Sequence, residues 1–398
     1  MALDKPITDI NEHDLQTLFA EKEAESRSLD YKVMLNLDVE RAKEDFRKDV
    51  SAFANSAGGD LVIGIRDENG IPTEVCGFDL GNQSQEQYRL RLLELLQSRI
   101  KPRVQGVGIR PFQLENGLWA AVVRVPRSFA KPHQIEIGNK DFQFWFRHDS
   151  GNQRMDVDEL RDAILASDTL AERRRTFRIE RVGSVLAGET PIPVGDAPKT
   201  VLHVIPLGAF SLGSSYDLSV LTQGNLSRLS PIIGPPGYFR HNFDGYLTSF
   251  TQPVSSGSNS YLQIFRNGIV EAVDTRIMEN SRQAGSFPAS YVEAKLIAAL
   301  RRIFALQQEL GVMPPVLVML TLVGVAGLNI VRNNFPFSSQ SSPIDRDVLM
   351  IPEALVEIYP DTAEGVFRPI FDTVWNAAGY SACPNYDDNG VWASKDYH

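Results

Sequence analysis

The chain has 398 residues, 43% of them hydrophobic and 23% charged, with a formal net charge of −10. These values exclude wholesale disorder and a uniformly basic nucleic-acid binder, and the length predicts two or three domains with cores that need no staples. Two cysteines, Cys76 and Cys383, exclude a disulfide scaffold and a cysteine-rich zinc module.

The N-terminus carries no apolar signal core, and the scattered histidines form no metal-ligand pair. With so few cysteines, the expectation is a cytoplasmic protein in a reducing compartment. Val316 to Val331 is apolar but shorter than the ~20 residues a membrane span needs. It reads as a buried strand followed by a turn.

In chain order, residues 1–14 read as an extension and 15–182 as a first domain of α+β class, a mixed sheet flanked by helices. Leu29–Val33 reads as extended. Ala42, Phe46, Val50 and Phe53 fall at helical spacing within Val39–Asn55. Ser56–Gly59 breaks that helix, and Asn55, Gly58 and Gly59 are the turn residues. Leu61–Ile65 predicts a strand, and Asp67 to Gly70 a turn. Gln85–Ile100 predicts a helix. Val104–Ile109, Leu118–Val125 and Asp141–Arg147 predict strands. Asp156 caps a helix through Leu165, with Glu159 completing a capping box.

Gly183–Lys199 is rich in glycine and proline and reads as a linker. Residues 200–379 predict a second α+β domain whose role pattern does not reveal. It contains a strand from Val201 and a hairpin over Tyr261–Ala272 turning at Asn267-Gly268. The helix Tyr291–Leu310 and the buried strand Val316–Val323 follow. Tyr380–His398 reads as a tail.

Charge is unevenly spread. Gln83–Lys131 holds nine basic and three acidic residues, a local +6. A second basic cluster runs Arg173, Arg174, Arg175, Arg178 and Arg181. Arg89, Arg91, Arg99, Lys101 and Arg103, with Arg173, Arg174 and Arg175, are the candidates to track a phosphate backbone. A solvated, salt-bridged face is the alternative.

Glu25, Asp30 and Asp67 are the candidate catalytic acids and metal ligands. Period-two alternation puts Asp30 and Lys32 on one face of a strand. A neighbouring strand ending at Asp67 would bring a second carboxylate beside Asp30, and Glu25 could fold over as a third. Hard oxygen ligands suit magnesium or manganese, which could activate water, while Lys32 could stabilise developing charge. Asp67 as a turn residue and Lys32 as a partner of Asp30 are the plain alternatives. No P-loop, dinucleotide fingerprint or nucleophile elbow occurs, so no nucleotide cofactor is expected.

The string Glu25-Ser26-x-x-Leu29-Asp30-Tyr31-Lys32 resembles the E-S-x-x-x-E-F-K opening of Schlafen AlbA-type domains. Asp49 through Asp67, containing Ala52-Phe53-Ala54-Asn55-Ser56-Ala57-Gly58-Gly59, resembles that family's A-F-A-N-T-x-G-G-x-L-x-I-G-V-x-D core. Phe144 through Asn152 resembles its Y-x-R-x-G-S-x-N element. The resemblance covers roughly residues 15–165. It implies a magnesium- or manganese-dependent endoribonuclease acting on transfer RNA or other structured RNA. Glu25, Asp30 and Asp67 would be its acids and Lys32 its lysine, with Asp30 standing where the family has Glu. It implies antiviral defence as a setting. This chain shows one AlbA-type lobe where the eukaryotic nuclease has two, so a homodimer would supply the second, and it lacks the zinc site. The alternatives are a non-catalytic DNA- or RNA-binding regulator on the same fold, or a scaffold protein. No membrane partner is expected.

Overall fold

Side chains alternate in direction along the first strand, and that alternation arranges everything around it. In the computed structural model, β1 (Leu29–Lys32) points Leu29 and Tyr31 into one core. Asp30 and Lys32 face the other side. The structure describes residue 3 and residues 5–138, 141–149, 151–211, 213–221, 227–252, 259–330, 342–387 and 389–393. Ser150, Val331, and Asp388 and residues 394–398 of the expected tail lie outside the described residues. The chain divides into two compact units, Met1–Thr169 and Leu170–His398.

The first unit opens with α1 (Glu12–Ala20), capped by Asn11 and Asp14 in a capping box. After β1 come α2 (Glu40–Asn55), β2 (Gly58–Ile63), β3 (Ile65–Glu68) and β4 (Ile71–Val75). Then follow α3 (Gln85–Arg99), β5 (Ile100–Lys101), β6 (Gly108–Gln113) and β7 (Trp119–Pro126). The unit closes with β8 (Gln134–Ile137), β9 (Asp141–His148), β10 (Gly151–Arg154) and the start of α4 (Val157–Ala187).

One sheet has the order β1-β2-β7-β6 and a second the order β10-β9-β8-β5. Helix α2 touches both, so its buried face serves two sheets at once. Phe46, Val50 and Phe53 of α2 share a core with Leu61, Ile63, Ala121 and Val123 of the first sheet. Phe46 and Phe53 are fully buried, and each such side chain contributes about 2–3 kcal/mol of transfer free energy. Ile10, Leu15 and Leu18 cover the opposite face.

Glycine is required where α2 turns into β2. Gly58 has φ +78°, and a Cβ there would sit 2.6 Å from the Arg127 nitrogen and 2.7 Å from the Val125 oxygen. At Gly59 a Cβ would strike the Phe53 ring at 2.4 Å. The small residues let helix and strand pack this closely.

Asp156 and Glu159 form the expected capping box through Asp156 N–H to Glu159 and Glu159 N–H to Asp156, at 3.0 and 2.8 Å. The helix they start runs to Ala187, well past Leu165. The stretch expected as a linker from Gly183 therefore begins as helix, because one glycine in open space does not stop it.

The second unit is built on an antiparallel eight-stranded sheet. Its first five strands are β11 (Lys199–Pro206), β12 (Tyr238–His241), β13 (Gly245–Ser249), β14 (Ser260–Phe265) and β15 (Val270–Asp274). After β15 come the short α5 (Ser281–Ala284), β16 (Ser286–Phe287) and α6 (Ala289–Glu309). Next are β17 (Val316–Val323), β18 (Asn329–Ile330), β19 (Val348–Met350), β20 (Ala354–Val356) and α7 (Glu364–Ala377). The sheet order is β12-β13-β14-β15-β11-β17-β19, with β20 also on β17. Leu296, Leu300 and Phe304 of α6 pack on Val318, Leu320 and Leu322 of β17.

The expected tail is not one over its described part. Asn385 and Trp392 donate to the buried Glu293 carboxylate of α6 at 2.7 and 2.8 Å. A buried carboxylate needs such donors, and it recruits this segment into the core. Among the described residues no helix is long and apolar enough to cross a membrane.

Candidate functional site

Strand β1 lies parallel to β2, with Asp30 opposite Leu61 and Lys32 opposite Ile63. Asp30 and Lys32 do share a face, and it is the face toward α2. Asp30 is only 4% exposed. Its Oδ1 accepts from Arg147 Nη2 at 2.9 Å, and its Oδ2 lies 2.5 Å from Lys32 Nζ. Lys32 Nζ also lies 3.6 Å from Asp49 Oδ2. Apart from that ammonium, Asp30 Oδ2 and Asp49 Oδ2 have no hydrogen-bond partner among the described residues. The other Asp49 oxygen accepts from Asn152 Nδ2 at 2.5 Å.

Asp49 reaches this cluster because it lies three residues after Phe46, on the buried face of α2. Arg147 arrives from β9 and is 1% exposed. Its guanidinium donates to the carbonyls of Ser26 at 2.9 Å and Leu29 at 3.0 Å. It also lies 4.7 Å from the centre of the Phe53 ring. Arg147 N–H donates to Ser56 Oγ at 2.7 Å. Asn55 closes the arrangement, donating to the carbonyls of His133 and Trp145 and accepting His133 N–H. Thus Arg147, Asn152 and Asp49 complete the cluster. The signal in the sequence was a charged residue at an apolar helical position and an arginine inside a strand of aromatics.

The remaining acids sit elsewhere on the same edge. Glu25 Oε1 accepts Tyr31 N–H at 3.0 Å. Asp67 Oδ2 accepts Gly70 N–H at 3.0 Å, and the Gly70 carbonyl accepts Glu25 N–H at 2.7 Å. Asp67 is not at the end of the strand beside Asp30. Gly64, with φ +106°, breaks that strand, and Asp67 belongs to the β3–β4 hairpin. Burial pushes the Glu25 carboxyl above its ordinary value, and the charges of Asp30 and Asp67 add to the push. Burial also works against the Lys32 charge, but Asp49 and Asp30 hold its proton more firmly than usual.

Magnesium or manganese takes oxygens at about 2.0–2.6 Å. As folded, Asp30 gives one oxygen to Arg147 and the other to Lys32, while Glu25 and Asp67 each accept a backbone N–H. Among the described residues no group of three or more His, Cys, Asp or Glu side chains is arranged to hold a metal ion. Asp30 and Asp67 nevertheless lie close enough to Glu25 for their charges to act on it.

Burial, and then the neighbouring Asp30, push the Asp49 carboxyl up to about 6, against the help of Lys32, Asn152 and Arg147. A carboxyl raised by folding favours the folded state below its unfolded value. That contribution fades as pH rises through the folded value. The Asp49 carboxyl carbon is expected to titrate near pH 6 by NMR. In Lys32→Met the midpoint should move higher, because the ammonium favours the ionised form. A midpoint in the ordinary carboxylate range would contradict this burial.

The basic candidates divide. Arg89 is held by Glu86 at 2.6 Å and Arg91 by Asp38 at 2.7 Å. Arg99 donates to the Gly138 carbonyl at 3.1 Å. Lys101 and Arg103 are exposed. Arg173 donates to the Phe210 carbonyl at 3.2 Å, Arg174 is half-buried and Arg175 is exposed. Arg178 and Arg181 are structural: Arg178 bonds the Leu320 and Ile351 carbonyls, and Arg181 bonds Glu271.

These interlocking motifs can be set beside known proteins. Residues 25–156 match the family model described as Schlafen, AlbA_2. The first unit carries a Schlafen AlbA_2 domain. A search of curated proteins finds no match. Among solved structures, the DIP2311 protein from Corynebacterium diphtheriae shows a likeness at 16% identity and a TM-score of 0.24. That likeness covers 36% of this chain and 26% of that one, so the chain spans about a quarter of the protein it matches. The matched Schlafen AlbA_2 segment contains Asp30, Lys32, Asp49, Asn55, Arg147 and Asn152, the whole buried cluster.

Proposed function

We propose that the Schlafen AlbA_2 domain binds nucleic acid through its phosphate backbone. Lys101 and Arg103 carry this reading. Both are exposed where α3 ends, and Lys101 pairs across strands with Gln134, close to the Asn55 turn. Surface cations with no carboxylate partner are what a polyanion recruits, because it releases counterions on binding.

A second reading is cleavage of transfer RNA or other structured RNA with magnesium or manganese. It draws support from the crowding of Glu25 by Asp30 and Asp67. It requires Asp30 to give up Lys32 or Arg147.

The test is a titration of transfer RNA with the chain, with and without manganese, beside Glu25→Ala and Asp67→Ala. The binding reading expects affinity that weakens steeply with salt, intact RNA with manganese, and unchanged affinity in both variants. The contacts of Lys101 and Arg103 alone should cost roughly 12-fold in affinity for a fourfold rise in salt. Manganese-dependent cleavage that both substitutions abolish would establish the second reading instead. Salt-independent association would refute both.

A further inference from the structure

We propose that Arg27, Arg127 and Lys131 form a phosphate site for a nucleic-acid backbone, at the end of the first sheet where Gly58 and Gly59 open β2. The inference rests on the nucleic-acid reading above but locates the contact on residues outside helix α3. Three segments far apart in sequence meet there. Leu29 pairs with Asp60, and Gly58 pairs with Pro126. Arg27, just before β1, and Arg127, just after β7, therefore stand at the same end of the sheet on either side of β2. Two strand spacings separate their backbones by about 10 Å.

Lys131 completes the set from the loop after β7. Its Nζ lies 3.4 Å from the carbonyl oxygen of Asn55, the last residue of α2. The Ser128 N–H donates to the Ala54 carbonyl at 2.8 Å and ties this loop to the same helix end. Arg27 and Arg127 are exposed and Lys131 is half-buried.

The usual reading of surface cations is a salt-bridged face, and much of this unit follows it. Arg47, Lys43, Arg66, Arg89, Arg91 and Arg124 all have carboxylate partners. Arg27, Arg127 and Lys131 have none among the described residues. Burial, then Arg127 and then Arg27, lower the proton affinity of Lys131, and no carboxylate acts to raise it. The end of α2 offers only a fractional negative charge, which cannot balance three cations. Such an arrangement is electrostatically unfavourable by itself and is relieved by an anion. Because the cations spread over two strand spacings, one carboxylate cannot serve them all. A backbone with repeated phosphates can.

The experiment measures the slope of log affinity against log salt for transfer RNA. It compares the unaltered chain with Arg27→Gln, Arg127→Gln, Lys131→Gln and the triple variant. Each lost phosphate contact should reduce the slope by about 0.7–0.9. The triple variant is therefore expected to lose two to three units of slope and at least tenfold in affinity at low salt. Arg89→Gln and Arg91→Gln should leave the slope unchanged. Melting temperature checks that each variant folds, and Lys131→Arg should retain the slope where Lys131→Gln does not. Unaltered chain that binds, beside a folded triple variant with an unchanged slope, overturns this site alone. Unaltered chain that does not bind overturns the nucleic-acid reading as well.

Discussion

Arg147→Ala is expected to destabilise the first unit by about 3–5 kcal/mol, the range for removing one partner of a buried ion pair. In urea this is a fall of roughly 1–2 M in the midpoint of that unit's transition. The side chain is 1% exposed, so nothing from solvent replaces it. Its loss takes one of two donors from each of the carbonyls of Ser26 and Leu29, which keep each other's N–H, and leaves Asp30 with Lys32 alone. It also removes the cation from the Phe53 ring, 4.7 Å away. Arg147→Lys should recover little of the loss, because one ammonium cannot reach three diverging acceptors. Asp30→Asn should cost less, about 1–2 kcal/mol, since an amide oxygen still accepts from Arg147. Tryptophan fluorescence follows this unit through Trp119 and Trp145. A loss under 1 kcal/mol in Arg147→Ala would refute the view that this arginine joins the three motifs.

That result would also separate two meanings of the same sequence pattern. Asp30, Lys32 and the glycine turn were legible because strand alternation and turn chemistry are local. The spacing that suggested a three-carboxylate centre was local too, and it did not show that Gly64, with its positive φ, ends β2 and puts Asp67 on the β3–β4 hairpin. The cluster around Asp30 is completed from far along the chain: Asp49, 17 residues after Lys32, through that lysine, and Arg147, 117 residues after Asp30, directly. No single-sequence periodicity reports such pairings. The basic stretch was legible as composition, but not which cations have partners. Arg89 and Arg91 looked available and are paired. In the second unit the hairpin turning at Gly268, helix α6 and strand β17 were read closely. Their apolar runs are long and bounded by clear breakers. The length of α4 was not legible, because Gly183 looks like a stop and is tolerated inside the helix.

The second unit has its own buried charge, and its removal should be as costly. Glu271 in β15 is fully buried and lies opposite His203 of β11. One of its oxygens accepts from Arg181 Nη2 at 2.7 Å and from the Tyr261 hydroxyl at 2.9 Å. The other accepts from Arg181 Nε and His203 Nε2, both at 2.9 Å. Glu271→Ala leaves an arginine, a histidine and a tyrosine hydroxyl facing a cavity, and about 3–5 kcal/mol is expected. The pH dependence gives an independent reading. Burial alone would raise the Glu271 carboxyl, but the bonds from Arg181 and His203 outweigh it and hold the group at about 2. A carboxyl lowered by folding stabilises the folded state above its unfolded value, near 4.3 for glutamate, and that stability is lost as pH falls toward the folded value. About 3 kcal/mol should therefore disappear from this unit between pH 4.5 and 2. Glu271→Gln, which cannot ionise, should be less stable at pH 7 and lack this acid-dependent loss. Parallel acid-unfolding curves for the two proteins, followed at Trp375 and Trp392, would refute the assignment. They would mean that Glu271 is not the charge on which the core around Arg181 and His203 depends.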